Sequence, residues 1–417
     1  MTTPWLRRQI LSGLATSAVL CVAGPLAAQS SHAPFGQWVE TFRIRAKARG
    51  VSDATYTRVM SAIKPDTSVY ALDRAQPEFR EQVWQYLNRR VSDWRITVGK
   101  QRARQHAPLL ERIERTYGVD GYTMLGLWGM ESAFGDVVDN PKHMRPVIPA
   151  ISALAWGDPR RRSYWEQELL NALVIVERGW GNPAEMIGSW AGAMGHTQWM
   201  PEVWLNMGVD FNGDGRVSPF GPPDDALAGT AQYLQRRGKY RRGEGWGYEV
   251  RLPANISNSC IGACARSTGE MTAISSWVER GVTLANGKQF PRPSERARLW
   301  QPATGGPVFL LTANFDAVRS YNPANTYALA ILHLADRIRG EGPFAQQFPG
   351  GERELTLPEV QETQRRLTAR GFDTGGTDGR VGRDTMVAVR AFQTKAGIAP
   401  ADGYPGLKVL ARLRAPE

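Results

Sequence analysis

The sequence predicts a mainly helical chain in two parts: a large unit followed by a small three-helix bundle. Three observations lead there. From Phe35 to about Arg339, apolar residues recur at three- and four-residue spacings, the period of a helix face rather than a strand. Residues 340–354, GEGPFAQQFPGGERE, then break the pattern with Gly, Pro and Gln, in the manner of a linker. After that break the helical spacing resumes in three short stretches. With 417 residues, 42% of them hydrophobic, the chain has material for one large core and a smaller one.

Residues 1–28 read as a cleavable export signal. Arg7 and Arg8 precede an apolar stretch, Ile10 to Val22, and small residues follow at Ala27 and Ala28. The paired arginines raise the twin-arginine route beside the general one, although Leu6 stands where Ser or Thr is usual. Cys21 does not read as a lipidation site, because Leu20 and Ala18 reverse the usual order of small and aliphatic residues. A soluble periplasmic monomer is expected, since no later run is long and apolar enough to span a bilayer. The formal charge of +11 becomes +9 once the signal and its two arginines are removed. A basic exported protein suggests an anionic partner. The basic residues are dispersed and form no recognisable nucleic-acid module, so a wall or membrane surface is favoured over nucleic acid.

The large unit, residues 32–339, contains the clearest helical patterns at Phe79 to Ile96, His106 to Tyr117, Arg162 to Glu177 and Thr326 to Ile338. In the tail, residues 355–417, Thr356 and Glu359 make a capping-box pattern with Pro358 in the first turn. Helices at Arg383 to Ala396 and Leu407 to Leu413 complete the bundle. Few contacts are expected to cross the linker at 340–354. Cys260 and Cys264, in SCIGAC, lack the further ligands of a zinc site. In an oxidising compartment they predict a local, structural disulfide.

The stretch GLWGMESAFG at 126–135 places one carboxylate, Glu131, in an apolar run. Asp120 suits the N-cap of that helix and Gly135 its stop. Glu131 then falls near the C-terminal end, where desolvation and the helix dipole both disfavour a charged carboxylate. A general acid is the chemical reading; an exposed glutamate on an amphipathic helix is the plain one. Downstream, GSWAGAMGHTQWMP at 188–201 offers small residues that leave room for a ligand, with Ser189 and Gln198 as polar groups and Trp190 and Trp199 as flat faces. Tight packing at small residues is the alternative.

Together ESAFG, GSWAGAMGHTQWMP and YNPANTYALAI (321–331), with QPEF at 76–79 and RRRSYWEQEL at 160–169, resemble the lytic murein transglycosylase B family over about residues 35–340. The tail resembles a peptidoglycan-binding domain in Gln364, Leu367, Asp378–Gly379, Gly382, Thr385, Ala388, Phe392–Gln393 and Asp402–Gly403. The resemblance implies a lysozyme-like catalytic domain that cleaves peptidoglycan glycan strands. It implies Glu131 as catalytic acid/base and Ser189 as the hydroxyl that orients it. Gln198 and Asn322 match polar substrate contacts, and Tyr86, Arg160, Arg161, Tyr164, Trp199 and Tyr321 match cleft-lining positions. His196–Thr197 and Trp199 depart from the usual pattern, which bears on substrate preference.

The implied chemistry uses one carboxylate where most glycosidases use two. It cleaves the MurNAc–GlcNAc β-1,4 bond and leaves 1,6-anhydro-MurNAc, with no cofactor required. A hydrolytic muramidase and a noncatalytic wall-binding scaffold are the rival readings. Separately, DFNGDGRVS at 210–218 fits the start of an EF-hand loop, with Asp210, Asn212 and Asp214 at alternate positions and the Arg216 carbonyl next. Gly221 stands where the closing Glu belongs. Asp224 or Asp225 is left to close the site, and the resemblance favours Asp224. A structural calcium ion is expected there, against an Asx-rich turn without metal.

Overall fold

The computed structural model describes residues 33–74, 81–138, 140–142, 144–256, 260–262 and 271–416. The expected export signal, the QPEF segment and Cys264 lie outside the described residues. Cys260 is disulfide-bonded, as expected of it. The chain forms two compact units: residues up to 76 with 136–229, and 77–135 with 230–417.

The first unit is built on two helices buried nearly all round, Val147–Gly157 and Arg162–Glu177. Ile151, Leu154, Leu169 and Leu173 are wholly inaccessible and form one core with Phe42, Tyr56 and Trp204. Such helices carry no amphipathic stripe, because protein covers every side. Asp53–Met60 starts at Ser52, whose hydroxyl accepts the Thr55 amide at 3.2 Å. A two-residue antiparallel pair, β1 (Arg145–Pro146) with β2 (Ile187–Gly188), leads the chain into the Gly-rich segment that follows.

In the second unit the helix Gly121–Ser132 packs along Asn325–Arg339 and against Asp93–Gln105. Glycines allow the close approach. A Cβ on Gly126 would lie 2.3 Å from the Ile331 carbonyl, and one on Gly99 would lie 2.4 Å from Ile338 Cδ1. The expected helix Phe79 to Ile96 is instead two, Val83–Arg90 and Asp93–Gln105, broken at Val91–Ser92. Ser92 starts the second as its N-cap, a local preference that overrides continuous apolar spacing.

This unit also contains a sheet that helical spacing did not announce. Its strands are β3 (Gly247–Arg251), β4 (Thr272–Ala273), β5 (Thr283–Leu284), β6 (Arg296–Trp300) and β7 (Val308–Leu311). They run antiparallel in the order β4-β6-β7-β3-β5. The central β7 is buried at all four residues, so it shows no two-residue alternation.

The tail forms Leu357–Ala369, Arg383–Ala396 and Leu407–Arg414, and Thr356 and Glu359 make the expected reciprocal capping box. The expectation of few contacts across residues 340–354 is corrected, because Gln85 bonds to Asp402, Asn88 to Tyr404 and Asp93 to Leu357 across it, and the segment itself is packed. Glu249 accepts the amides of Ala345 and Gln346, each at 2.8 Å, and Phe344 stacks on His333 with centroids 3.8 Å apart. Arg337 pairs with Glu354 at 3.2 Å. Gly and Pro remove regular structure from a segment, but they do not remove its packing partners.

Candidate active site

Glu131 is half-buried, one residue from the end of Gly121–Ser132. Asp120 caps the start of that helix, accepting the Thr123 amide at 2.9 Å, as the sequence predicts. The helix ends earlier than the expected stop at Gly135. Ala133, Phe134 and Gly135 are all left-handed, with φ of 53°, 61° and 93°. For Ala and Phe that conformation costs on the order of 1 kcal/mol each. It folds Phe134 back over the helix, so that a Cβ on Gly129 would lie 2.5 Å from Phe134 Cζ. The Gly135 amide donates to Ser132 Oγ at 3.0 Å. The turn that carries Glu131 into the site is therefore tightly held on both sides.

Tyr327 donates its phenolic hydrogen to Glu131 Oε1. Burial, the Glu131 charge and that hydrogen bond together hold the Tyr327 phenol well above its ordinary value, so it remains a donor throughout the working pH range. Tyr86 and Tyr321 lie in the same electrostatic neighbourhood. Two of the aromatic side chains expected around Glu131 are thus brought together. Tyr327 was missed, although it lies within YNPANTYALAI, because a tyrosine at helical spacing reads equally well as core. The signal was Tyr327 itself, two residues into a helix that faces Glu131's helix.

Glu81, which also acts on Tyr86, is clasped by Arg89 through bonds of 2.9 and 2.6 Å. Below Glu131's helix, Arg95 Nε donates to the Gly129 carbonyl at 3.2 Å and its Nη1 to the Arg89 carbonyl at 3.2 Å. Burial, with Arg90, Arg89 and Arg380 as like-charged neighbours, brings the Arg95 guanidinium down to about 9. Asn322 follows Tyr321 at a turn and accepts the Ala324 amide through its side-chain oxygen at 3.3 Å.

The remaining expected site residues belong to the first unit. Ser189 Oγ accepts the Ala193 amide at 3.1 Å, which closes a tight loop stabilised by Ser189 N–H to the Ala193 carbonyl at 2.8 Å. The small residues of this loop serve packing rather than ligand room. A Cβ on Gly188 would lie 2.3 Å from the Ala193 carbonyl oxygen, and one on Gly195 would lie 2.1 Å from that of Pro219. Trp199 is also reassigned. It is wholly buried, and its indole fills the space that Gly229 leaves, 2.5 Å from where a Cβ there would stand. It forms core rather than a cleft wall.

Gln198 differs from its neighbours. It adopts φ of 55° and is half-exposed, between the buried Thr197 and Trp199. Its amide donates to the Gly195 carbonyl at 3.1 Å. A non-glycine residue held in this conformation stores strain of about 1 kcal/mol or more, a feature that clusters at functional sites. Arg161 is committed elsewhere: it pairs with Asp73 at 2.7 Å and Asp158 at 3.1 Å and lies over Trp165. Arg160 is exposed, and Tyr164 sits edge-on to Trp165 at 4.8 Å.

The acidic loop is wound around its own amides. Asp210 accepts from Gly213, Asp214 and Gly215, and Asn212 and Asp214 each accept from the residue two further on. Asp225 braces it from the following helix, with one oxygen accepting the Phe211 amide at 2.7 Å and the other the Ser218 amide at 3.0 Å. Position 225 turns inward and is nearly inaccessible, whereas 224 stays partly exposed in the first turn of its helix. Burial, with Asp210 nearby, raises the Asp225 carboxyl. Among the described residues no three acidic, His or Cys side chains converge as a metal cluster.

Comparison with known proteins accords with this arrangement. A family model described as "Transglycosylase SLT domain" matches residues 34–336, and one described as "Putative peptidoglycan binding domain" matches residues 356–413. The crystal structure of SltB3 from Pseudomonas aeruginosa in complex with NAG-anhNAM-pentapeptide is 39% identical; the match covers 91% of this chain and 99% of that one, with a TM-score of 0.70. The Escherichia coli lytic transglycosylase Slt35, solved in complex with calcium, shares the fold at 24% identity and a TM-score of 0.60, over 75% of this chain and 94% of that one. Membrane-bound lytic murein transglycosylase B of Escherichia coli is 28% identical over 236 residues, 56% of this chain and 61% of that protein's length. With most of its length inside the first of these models, the chain belongs to the transglycosylase SLT family, followed by a peptidoglycan-binding domain.

Proposed function

We propose that this chain is an exported lytic transglycosylase that cleaves the MurNAc–GlcNAc β-1,4 bond of peptidoglycan. The observation that carries the reading is the Tyr327–Glu131 pair, a single carboxylate held by a permanent donor at the end of a buried helix. Protonated Glu131 donates to the glycosidic oxygen as the bond to C1 breaks. The N-acetyl group of the muramic sugar stabilises the developing cation. Glu131, now ionised, takes the proton from the C6 hydroxyl, and that oxygen closes on C1 as a 1,6-anhydro ring. Glu131 ends protonated, and no water is consumed. The NAG-anhNAM ligand of the similar SltB3 supports this product class. Ser189 and Gln198 are assigned to orient acid and substrate, Asn322, Tyr86 and Tyr321 to line the cleft, and the tail to bind wall polymer. Among the described residues no helix is long and apolar enough to cross a membrane.

Mass spectrometry of digested sacculi tests the reaction. Products lighter by one water than the corresponding hydrolytic muropeptides are expected. Reducing-end products instead make the enzyme a muramidase, and absence of release makes the protein a wall-binding scaffold.

For the loop at 210–218 we infer a structural calcium ion. The donors are oxygens only, as a hard cation requires, and Asp225 is buried beside Asp210 with like charge to relieve. Asp210, Asn212 and Asp214 would hold the ion with the Arg216 carbonyl, and Asp224 would complete the set once calcium draws these groups together. Calcium binding to the folded state alone raises its melting temperature by mass action. A rise is expected for the unmutated protein and none for Asp210→Ala with Asp214→Ala. Equal melting temperatures with calcium and with chelator would leave an Asx-rich turn.

A further inference from the structure

We propose that the C-terminal bundle is a positioning element of the catalytic site: Asp402 and Tyr404 hold the helix Val83–Arg90, and through it the backbone that precedes Glu131. The proposal rests on Glu131 being the catalytic group. Tail and helix are joined by specific polar bonds. Gln85, a nearly inaccessible amide, donates to Asp402 Oδ2 at 2.7 Å. Asp402 is itself fixed, since its other oxygen accepts from Gln393 Nε2 and from the Tyr404 amide, both at 2.9 Å. Asn88 donates to Tyr404 Oη at 3.0 Å and to the Glu352 carbonyl at 2.9 Å. The Tyr404 ring meets Trp84 edge-on at 5.0 Å. One turn further, Asp93 accepts the Leu357 amide at 2.9 Å, and Arg380 covers the Trp94 ring at 4.6 Å.

The same short helix faces the site. Tyr86 follows Gln85 directly; burial chiefly raises its phenol, and among the charges that act on it is that of Glu131. The Arg89 carbonyl at the helix end accepts from Arg95, whose Nε holds the Gly129 carbonyl two residues before Glu131. A helix of eight residues is too short to be stable by itself, so its position depends on what it packs against. Here one partner is the tail. A bundle that only tethered the enzyme to wall polymer would need no buried amide shared with the catalytic region.

The test uses the full-length protein as wild type, Asn88→Ala, Tyr404→Phe and the double variant, assayed on short soluble glycans that do not depend on wall tethering. Each single change is expected to lower kcat about three- to tenfold, with KM within about twofold, and the double to be no worse than the weaker single, as coupled residues behave. Amide hydrogen exchange should rise together in residues 83–90 and 129–131. Unchanged kcat in all variants overturns the proposal, even if exchange rises in 83–90. An inactive wild type would instead overturn the proposed function; unchanged exchange at 129–131 would then still refute the mechanical link. Should Asn88→Ala fail to fold, Tyr404→Phe, which deletes one oxygen and keeps the ring, carries the comparison.

Discussion

Glu131→Gln is expected to abolish turnover on isolated sacculi, by at least about a thousandfold, the scale of general acid–base catalysis by a positioned side chain. The amide keeps the size of the carboxyl and accepts the Tyr327 hydrogen bond through its oxygen. It cannot deliver a proton to the glycosidic oxygen or take one from the C6 hydroxyl. In the proposed mechanism Glu131 serves both steps, so no other group is expected to restore either half. The variant should fold with a melting temperature close to that of the wild type and still pellet with sacculi. Retained turnover of the purified variant would remove Glu131 from the chemistry.

Tyr327→Phe is the second large effect. It removes the hydroxyl that donates to Glu131 and keeps the ring. With the donor gone, the carboxyl can rotate away from the glycosidic oxygen, and misplacement of a reacting group by about 1 Å costs about a hundredfold. We expect kcat to fall about ten- to a hundredfold while KM stays within about twofold, because Tyr327 holds the acid rather than the substrate. A rise in KM at constant kcat would mean that Tyr327 binds glycan. Unchanged kinetics would make it a packing residue.

Local signals in the chain were sufficient for the parts whose structure is local. The caps at Asp120 and Thr356 are each read from a polar side chain within three residues of the amide it accepts, and each forms as read. The helices Arg162–Glu177 and Arg383–Ala396 coincide with their sequence patterns, because apolar residues at three- and four-residue spacings specify a helix whether protein covers one side of it or nearly all. Glu131 was legible as an acid in apolar company.

What the chain could not show by itself depends on partners far away in sequence. Tyr327 reaches Glu131 across 196 positions, and no local pattern distinguishes it from a core tyrosine. Trp199 looks like a sugar-stacking face until Gly229 is seen to make room for it inside. Asp224 and Asp225 are neighbours in one helical turn, and only the direction of that helix decides which carboxylate meets the loop. The antiparallel sheet rests on pairings such as Gly247 with Leu311, between strands of five and four residues, too short to show a period, and the second is buried throughout. The linker is the same case: its Gly and Pro content determined that it would be irregular, while Glu249, His333 and Arg337, all distant in sequence, decided that it would be packed.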